Sequence, residues 1–517
     1  MASLHPYRER IKDGLVALGL ANLALVSAWY PLLYGTEFAY FKEPVTHSSL
    51  FAVAANIAWI TLAGWLVLRG YRGSQNRWFR LSCDLLIVIL LLVPIDYCRR
   101  GLFHTPARDI IAVCKQPLVV AGLVLLAGLV IWKHRGAARG AAVLAGILSP
   151  LALITLGRII LVLAGVSALA RIAQEPMHPP LNPTFGDKPR VLWLIFDETD
   201  YRLVFENRPA GLQLPELDRL RGESIFAANA FPPADGTIMS MPSLISGTRV
   251  TNAEPAGDSD LKLKLLDGRI SRWSELPSVF AEARELGCNT ALLGWFHCYD
   301  RVLHSGLNYC KWYSYPGTFP AQQPTFDSAM FDQVACIVQG LQNERLFATV
   351  YRGIISDAFR LATNSSYNLM LLHLPPPHLP GVYLPDKDKF TIFSMPMAEG
   401  YFNNMVLVDR TLGKLRAELE QSGQWEKTWV LLSSDHSWRR SQLYDGKRDL
   451  RVPFMLKPPG KPACLTLGKE INTVVTHDLI LAILRGEVTN TASSVAWLEA
   501  RASAEPLPQE RSIDDFE

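Results

Sequence analysis

RVLWLIFDE, residues Arg190–Glu198, starts on a basic residue, runs through six consecutive apolar residues and stops on two carboxylates. A short apolar run with polar bounds predicts a strand buried on both faces. Similar runs follow: NTALLGW (Asn289–Trp295), YNLMLLHL (Tyr367–Leu374), TWVLLSSD (Thr428–Asp435) and VPFMLKPP (Val452–Pro459). Between them lie LPELDRLRGES, LPSVFAEAREL and NNMVLVDRTLGKLRAELEQSG, each with helical spacing. Strands alternating with helices predict an α/β domain whose mostly parallel sheet is covered by helices on both faces.

Open parallel sheets bind ligands outside the carboxyl ends of their strands. The residues at those ends are Asp197 and Glu198, then Trp295, His297, Asp300 and Arg301, then His378, then Asp435 and His436. Carboxylates and imidazoles thus gather where four strands stop. Asp and His together ligate divalent metals such as zinc or manganese. An isolated Asp-His pair would read as a turn; a second acidic pair after another strand favours a metal site. The run Ser433, Ser434, Asp435, His436 is no serine triad, because consecutive residues cannot converge and no G-x-S-x-G elbow occurs. A better nucleophile lies in PPADGTIMSMPSLISGTR, Pro232–Arg249. There Thr237 stands at the expected start of a helix, where free N–H groups favour an anion. The other reading of Thr237 is a helix cap. Pro242 is tolerated only in a first turn or a kink, so the helix is expected to start late.

Upstream, the chain is of another kind. Five stretches have about the length of mostly apolar residues that crosses a bilayer: Leu15–Tyr34, Leu50–Leu68, Leu81–Tyr97, Pro117–Trp132 and Ala141–Ala170. Four further segments argue against a cleaved signal peptide as the reading of the first. Arg8, Arg10 and Lys12, then Arg69, Arg72, Arg77 and Arg80, then Lys133, His134, Arg135 and Arg139 fall on one side, the cytoplasmic one by the positive-inside rule. Arg99, Arg100, Arg108 and Lys115 lie opposite and weaken that asymmetry without reversing it. The expected layout is a transmembrane domain over residues 1–172, a proline-rich linker over 173–189, a catalytic domain over 190–500 and a polar tail over 501–517. An odd number of crossings places the catalytic domain on the periplasmic or extracellular side of the plasma (inner) membrane. Disulfides are permitted there, and Cys298 with Cys310 is the expected pair, with buried free thiols as the alternative. Lys plus Arg (51) nearly balance Asp plus Glu (48), without a basic block, so nucleic acid is set aside as a partner.

These motifs, in this order, resemble the alkaline phosphatase superfamily and within it the sulfatase-like branch, which includes lipoteichoic acid synthases and phosphoethanolamine transferases. VLWLIFDET looks like the first metal-binding strand, with Glu198 at the acidic ligand position. LPELDRLRGESIFAANAF is similar to the segment leading to the nucleophile, and Thr237 stands ten residues before Gly247, as the modified residue of sulfatases does. Threonine there looks like the transferases, and Met241 replaces the sulfatase arginine. PPPHLPG resembles the substrate-binding histidine segment and points to His378. SSDHS matches the metal-binding pair, and RVPFMLKPPG resembles the strand after it. WFHCYDR is loosely similar to the region that supplies Trp295, Asp300 and Arg301, although Arg301 is as well read as an ion-pair partner of Asp300.

The resemblance implies a divalent metal, zinc or manganese, held by Glu198, Thr237, Asp435 and His436, with Asp197 as a further ligand. Asp197, His373 and His477 are the spare ligands for a second ion. It also implies transfer of a phospho-headgroup, phosphoethanolamine or phosphoglycerol, from a membrane phospholipid donor to an envelope glycan or lipid acceptor through a phospho-threonine. A sulfatase-like hydrolase of sulfate or phosphate esters is the alternative, and an inactive scaffold is a third reading.

Overall fold

The computed structural model describes residues 5–34, 39–41, 45–101, 113–114, 116–164, 188–315, 325–337, 339–393, 395–460, 464–502 and 508. The expected linker and polar tail fall almost wholly outside these residues. The chain divides into two compact units. One comprises residues 1–36, 44–172 and 318–342; the other comprises 37–43, 173–317 and 343–517.

The second unit is built on an eight-stranded sheet. In chain order its strands are β1 (Arg190–Phe196), β2 (Ile225–Phe231), β3 (Thr290–Trp295), β4 (Tyr309–Tyr313), β5 (Leu369–Leu374), β6 (Thr428–Ser433), β7 (Phe454–Lys457) and β8 (Leu465–Asn472). Their spatial order is β8-β2-β7-β6-β1-β5-β3-β4. Every neighbouring pair is parallel except the two made by β7, so the sheet is mixed, with one reversed strand. β1, β5, β6 and β3 are buried at every apolar position, which is why they read as continuous apolar runs rather than as alternation.

Side chains alternate faces along a strand, and the two sheet faces carry separate cores. Val191, Trp193 and Ile195 pack with residues of the Thr237–Ser246, Val279–Glu285 and Thr476–Leu484 helices. Leu192, Leu194 and Phe196 pack with residues of the Pro215–Gly222, Gln339–Ala362 and Met397–Gln421 helices. The Thr237–Ser246 helix does not start late. Thr237 is its first residue and Pro242 lies inside it, with the Ser246 hydroxyl donating to the Pro242 carbonyl at 2.7 Å.

The first unit is helical. Among the described residues three helices are long and apolar enough to cross a membrane: His47–Gly73, Arg77–Arg99 and His134–Leu163. Tyr7–Ala24 and Val26–Tyr34 pass the same test together but bend by 67° at their junction. Pro117–Trp132 has 16 residues, about 24 Å of helix against a hydrocarbon core of about 30 Å. Among the described residues three helices thus qualify by length, or four with the bent pair, against the five crossings expected. The expected Cys298–Cys310 disulfide is not formed, and among the described residues no cysteine is in a disulfide.

Candidate active site

Register creates the centre of the site. Ile195 of β1 sits beside His373 of β5 and Ser433 of β6. Neighbours in parallel register point to the same face, and the next residue on that face lies two further on. Asp197 and Asp435 therefore extend the face that carries Trp193, Leu371 and Leu431 in one core. Asp197 donates its N–H to the Leu374 carbonyl at 3.0 Å as the ladder ends, and Asp435 lies two residues past the last paired residue of β6. Asp197, His373 and Asp435 are all fully buried and offer ligand atoms within 4.8 Å of one another.

One polar atom on each of these side chains has no hydrogen bond, although Nε2 of His436 stands 3.5 Å from two of them, Oδ1 of Asp197 and Oδ2 of Asp435. Oδ1 of Asp197, Oδ2 of Asp435 and Nε2 of His373 make no hydrogen bond. Each such buried atom costs about 1–3 kcal/mol. Burial, then the charges of Asp435 and Glu198, pushes the Asp197 carboxyl well above the ordinary value. Burial also raises Asp435, but the His436 and His373 rings and the Thr237 hydroxyl outweigh it and hold that carboxyl below its usual range. Burial brings His373 down to about 4, so its ring is neutral at working pH. Its Nδ1 bonds the Tyr299 hydroxyl at 2.7 Å, which fixes the ring. Two carboxylates and a neutral imidazole with open lone pairs form a donor set that fits a divalent cation.

Thr237 stands beside this cluster. Its Oγ1 is 3.2 Å from Nε2 of His436 and 3.5 Å from Oδ2 of Asp197. Nδ1 of His436 lies 2.9 Å from the Ser437 carbonyl, which can only accept. In the neutral ring, Nδ1 thus carries the hydrogen, and the Nε2 lone pair faces the Thr237 hydroxyl. The loop before Thr237 is clamped. Arg249 donates to the Pro233 carbonyl at 2.9 Å, the Ser240 hydroxyl donates to the Ala234 carbonyl at 2.7 Å, and Asp235 pairs with Arg448 in a buried contact.

The main chain of Thr237 is held separately. Nε2 of His297 donates to the Thr237 carbonyl at 3.1 Å, and Nδ1 of His297 accepts from the Tyr40 hydroxyl at 2.9 Å. Burial takes His297 down to about 3, so the ring is neutral and this tautomer is set by the carbonyl. Tyr40 lies between the first two apolar helices in sequence, yet belongs to the compact unit of the catalytic sheet.

Glu198 occupies a left-handed backbone conformation, φ 62°, rare for a residue with a side chain and common where a site stores strain. Its N–H donates to Oδ1 of Asp435 at 3.3 Å and its carbonyl accepts from Tyr401 at 2.8 Å. Its carboxylate accepts from Arg439 at 3.2 Å. Burial raises the Glu198 carboxyl, but His378, Arg439 and His436 together hold it below the ordinary value.

His378 reaches the site from the loop after β5. Its ring lies 5.2 Å from Trp295 and 6.0 Å from Tyr315, edge to face with both, and Nδ1 bonds the Leu379 carbonyl. Trp295 therefore belongs with His378. Asp300 and Arg301 sit in the Tyr299–Leu303 helix. Arg301 donates to the Asp258 carbonyl at 2.6 Å and lies over the Trp312 ring. Burial raises the Asp300 carboxyl. His477 is paired with Glu282 at 3.1 Å and Asp478 at 2.8 Å.

His373, expected only as a spare ligand for a second ion, is the third member of the orphaned cluster, although it sits inside an apolar run where a histidine reads as core. Arg439 escaped the motif reading. Arg439 stands three residues after His436, beyond the SSDHS motif, and pairs with Glu198. The geometry also brings Asp197, rather than Glu198, to the centre of the orphaned group.

A profile of the Sulfatase family matches residues 189–485. No curated protein matches the chain. Among solved structures, a sulfatase from Pseudoalteromonas sp. is 16% identical, with 58% of this chain and 68% of that one covered and a TM-score of 0.42. A protein in the alkaline phosphatase superfamily from Vibrio parahaemolyticus is 14% identical, with 63% and 74% covered and a TM-score of 0.38. Murine ectonucleotide pyrophosphatase/phosphodiesterase 5, inactive and in complex with AMP, is 12% identical, with 60% and 100% covered and a TM-score of 0.37.

Proposed function

The chain belongs to the sulfatase family of the alkaline phosphatase superfamily, and from that membership we propose a metal-dependent phosphotransferase of the cell envelope. It takes a phosphoethanolamine or phosphoglycerol group from a membrane phospholipid and passes it to a hydroxyl of an envelope glycan or lipid. The observation that carries this reading is an unmodified threonine hydroxyl 3.2 Å from an imidazole acceptor and beside the orphaned Asp197–His373–Asp435 cluster. Five crossings, with the catalytic unit outside the plasma membrane, are part of the proposal. They would keep the enzyme at the surface where its donor's headgroup lies.

Asp197, His373 and Asp435, with Thr237 and Glu198 around them, would hold zinc or manganese, while Nε2 of His436, the ring's one open nitrogen, is left to accept the Thr237 proton instead of serving as the expected ligand. The bound ion would supply acidity to a ligated hydroxyl and offset phosphate charge. Thr237 Oγ1 attacks phosphorus as its proton moves toward Nε2 of His436. A bond from Oγ1 to phosphorus forms, and the bond from phosphorus to the diacylglycerol oxygen breaks. His378, held edge-on to Trp295, gives the leaving oxygen its proton. In the second half an acceptor hydroxyl attacks phosphorus and gives its proton back to His378; the bond from phosphorus to Oγ1 breaks and Thr237 recovers its proton from His436, a covalent cycle with ping-pong kinetics.

Hydrolysis of sulfate or phosphate esters is the second reading, favoured by the family itself. Against a sulfatase, Met241 is fully buried where sulfatases carry an arginine, and Thr237 is an ordinary hydroxyl. Intact mass spectrometry after incubation with total phospholipid separates the cases. A mass gain equal to one phospho-headgroup, absent in Thr237→Ala, is expected. An unmodified wild-type mass, with turnover of sulfate esters, overturns the transferase reading.

A further inference from the structure

The helical unit holds a cavity of about 630 Å³ that the catalytic chemistry does not use. It lies within that unit, among the Tyr7–Ala24, His47–Gly73, Arg77–Arg99 and His134–Leu163 helices. Its size falls among those of pockets that take a small organic ligand, about 300–1,000 Å³.

One end of the cavity is charged. Lys12, Arg72, Arg135 and Arg139 line it together with Asp13 and Asp84. The acids are already matched. Asp13 is buried and takes a two-pronged contact from Arg72, at 2.6 and 2.8 Å. Arg69 reaches the same carboxylate at 3.9 Å. Glu9, one turn before, pairs with Lys12 at 3.0 Å and with Arg72 at 2.6 Å. Asp84 is buried and bonds Nδ1 of His134 at 2.6 Å. Arg135 and Arg139 are exposed and have no carboxylate partner among the described residues. The surplus charge is therefore positive and sits on these two guanidinium groups.

The other end is apolar. Arg135, Arg139, Val143 and Ile147 all line the cavity at intervals of four, one ridge of one helix. That ridge is about 18 Å long and passes from charge to hydrocarbon. Leu15, Leu68 and Ile87 line the space from the three other helices. Just beyond, two of the walls meet backbone to backbone. A Cβ at Gly19 would stand 1.9 Å from the Ala145 carbonyl oxygen, an approach that only glycine permits. Two exposed arginines alone would read as a solvated basic surface. Water needs polar partners, and the apolar half offers it none. An amphiphile with an anionic head satisfies both halves at once.

We propose that this cavity binds one anionic phospholipid, with Arg135 and Arg139 on its phosphate and its first acyl carbons along Val143, Ile147 and Leu68. These are the helix ends that the positive-inside rule assigns to the cytoplasm. The transfer reaction needs its donor headgroup on the other side, so the lipid held here is not the donor. It ties four helices together at their basic ends. The inference rests on the helical unit lying in a membrane, and not on which ester the enzyme cleaves.

The test uses the full chain, freed of lipid in detergent. Phosphatidylglycerol or phosphatidylcholine of the same acyl chains is added, and bound lipid is counted by native mass spectrometry. One phosphatidylglycerol bound about tenfold or more tighter than phosphatidylcholine is expected. Arg135→Gln with Arg139→Gln loses that preference. Arg8→Gln with Arg77→Gln, which removes as much charge from exposed positions outside the cavity, keeps it. Val143→Trp fills the apolar half without touching the charges and is expected to weaken phosphatidylglycerol binding. Equal binding of the two lipids by the wild type, or the same loss in both arginine pairs, overturns the proposal. So does unchanged binding in Val143→Trp. Displacement of the lipid by millimolar inorganic phosphate would make this a site for a soluble anion and overturns it as well. Carbonate extraction of membranes reads insertion of the helical unit separately, so failure of the lipid site is distinct from failure of the membrane reading.

Discussion

Replacing Tyr40 by Phe removes one oxygen and leaves the ring in place. That oxygen is the donor to Nδ1 of His297, at 2.9 Å, in a setting where both residues are fully buried. The opposite nitrogen is committed to the Thr237 carbonyl at 3.1 Å and must keep its hydrogen. The ring cannot flip its tautomer to compensate without losing that second bond. Protonation is no escape either, because burial holds His297 at about 3. Nδ1 is therefore left as an unpaired buried acceptor, at a cost of about 1–3 kcal/mol. If the ring stays in place, the catalytic unit loses that much stability. If it shifts to find a partner, the Thr237 backbone moves with it, and displacements of about 1 Å at a reacting group cost on the order of 100-fold in rate. Thermal unfolding and steady-state turnover of a fluorescent phospholipid by Tyr40→Phe read both routes. A lower melting temperature, or kcat reduced about tenfold or more at unchanged KM, is expected. Wild-type melting together with wild-type kcat would refute the coupling of Tyr40 to Thr237.

Arg439→Gln removes the guanidinium that helps hold the Glu198 carboxyl below its ordinary value. The Glu198 pKa then rises, and the acid limb of kcat/KM against pH moves upward. An unmoved limb would mean that Glu198 does not titrate in the working enzyme. Gly247→Ala places a side chain at φ 67°, with its Cβ 2.8 Å from Nδ1 of His477. The conformation alone costs about 1–2 kcal/mol, so thermal unfolding earlier than wild type is expected, and an unchanged melting temperature would contradict it.

The parts of the fold legible in the sequence are those in which burial is complete. β1, β5 and β6 lie in the sheet interior with both faces covered, so each reads as an unbroken apolar run ending in a carboxylate or near an imidazole. β2, β4 and β8 are not read as strands, because IFAANAF, YCKWY and LTLGKEIN mix small, polar and charged residues. Thr237, Asp435 and His436 announce themselves through local motifs. His373 does not, since its role comes from the register that sets it beside Ile195. Tyr40 is 257 residues from its partner, and nothing in the local pattern around it connects the two. Pro242 misleads because a helix held by burial on the sheet tolerates the missing donor that an isolated helix would not.

A divalent cation would sit where two carboxylates and a neutral imidazole leave their lone pairs open. Inductively coupled plasma mass spectrometry measures it directly in protein purified without chelator, alongside Asp197→Asn, His373→Ala and Asp435→Asn, with Asp300→Asn as the control. A stoichiometric divalent metal is expected in the wild type and the control, reduced in each of the three cluster variants. Wild-type metal content in all three, or none in the folded wild type after supply of zinc and manganese, would contradict it.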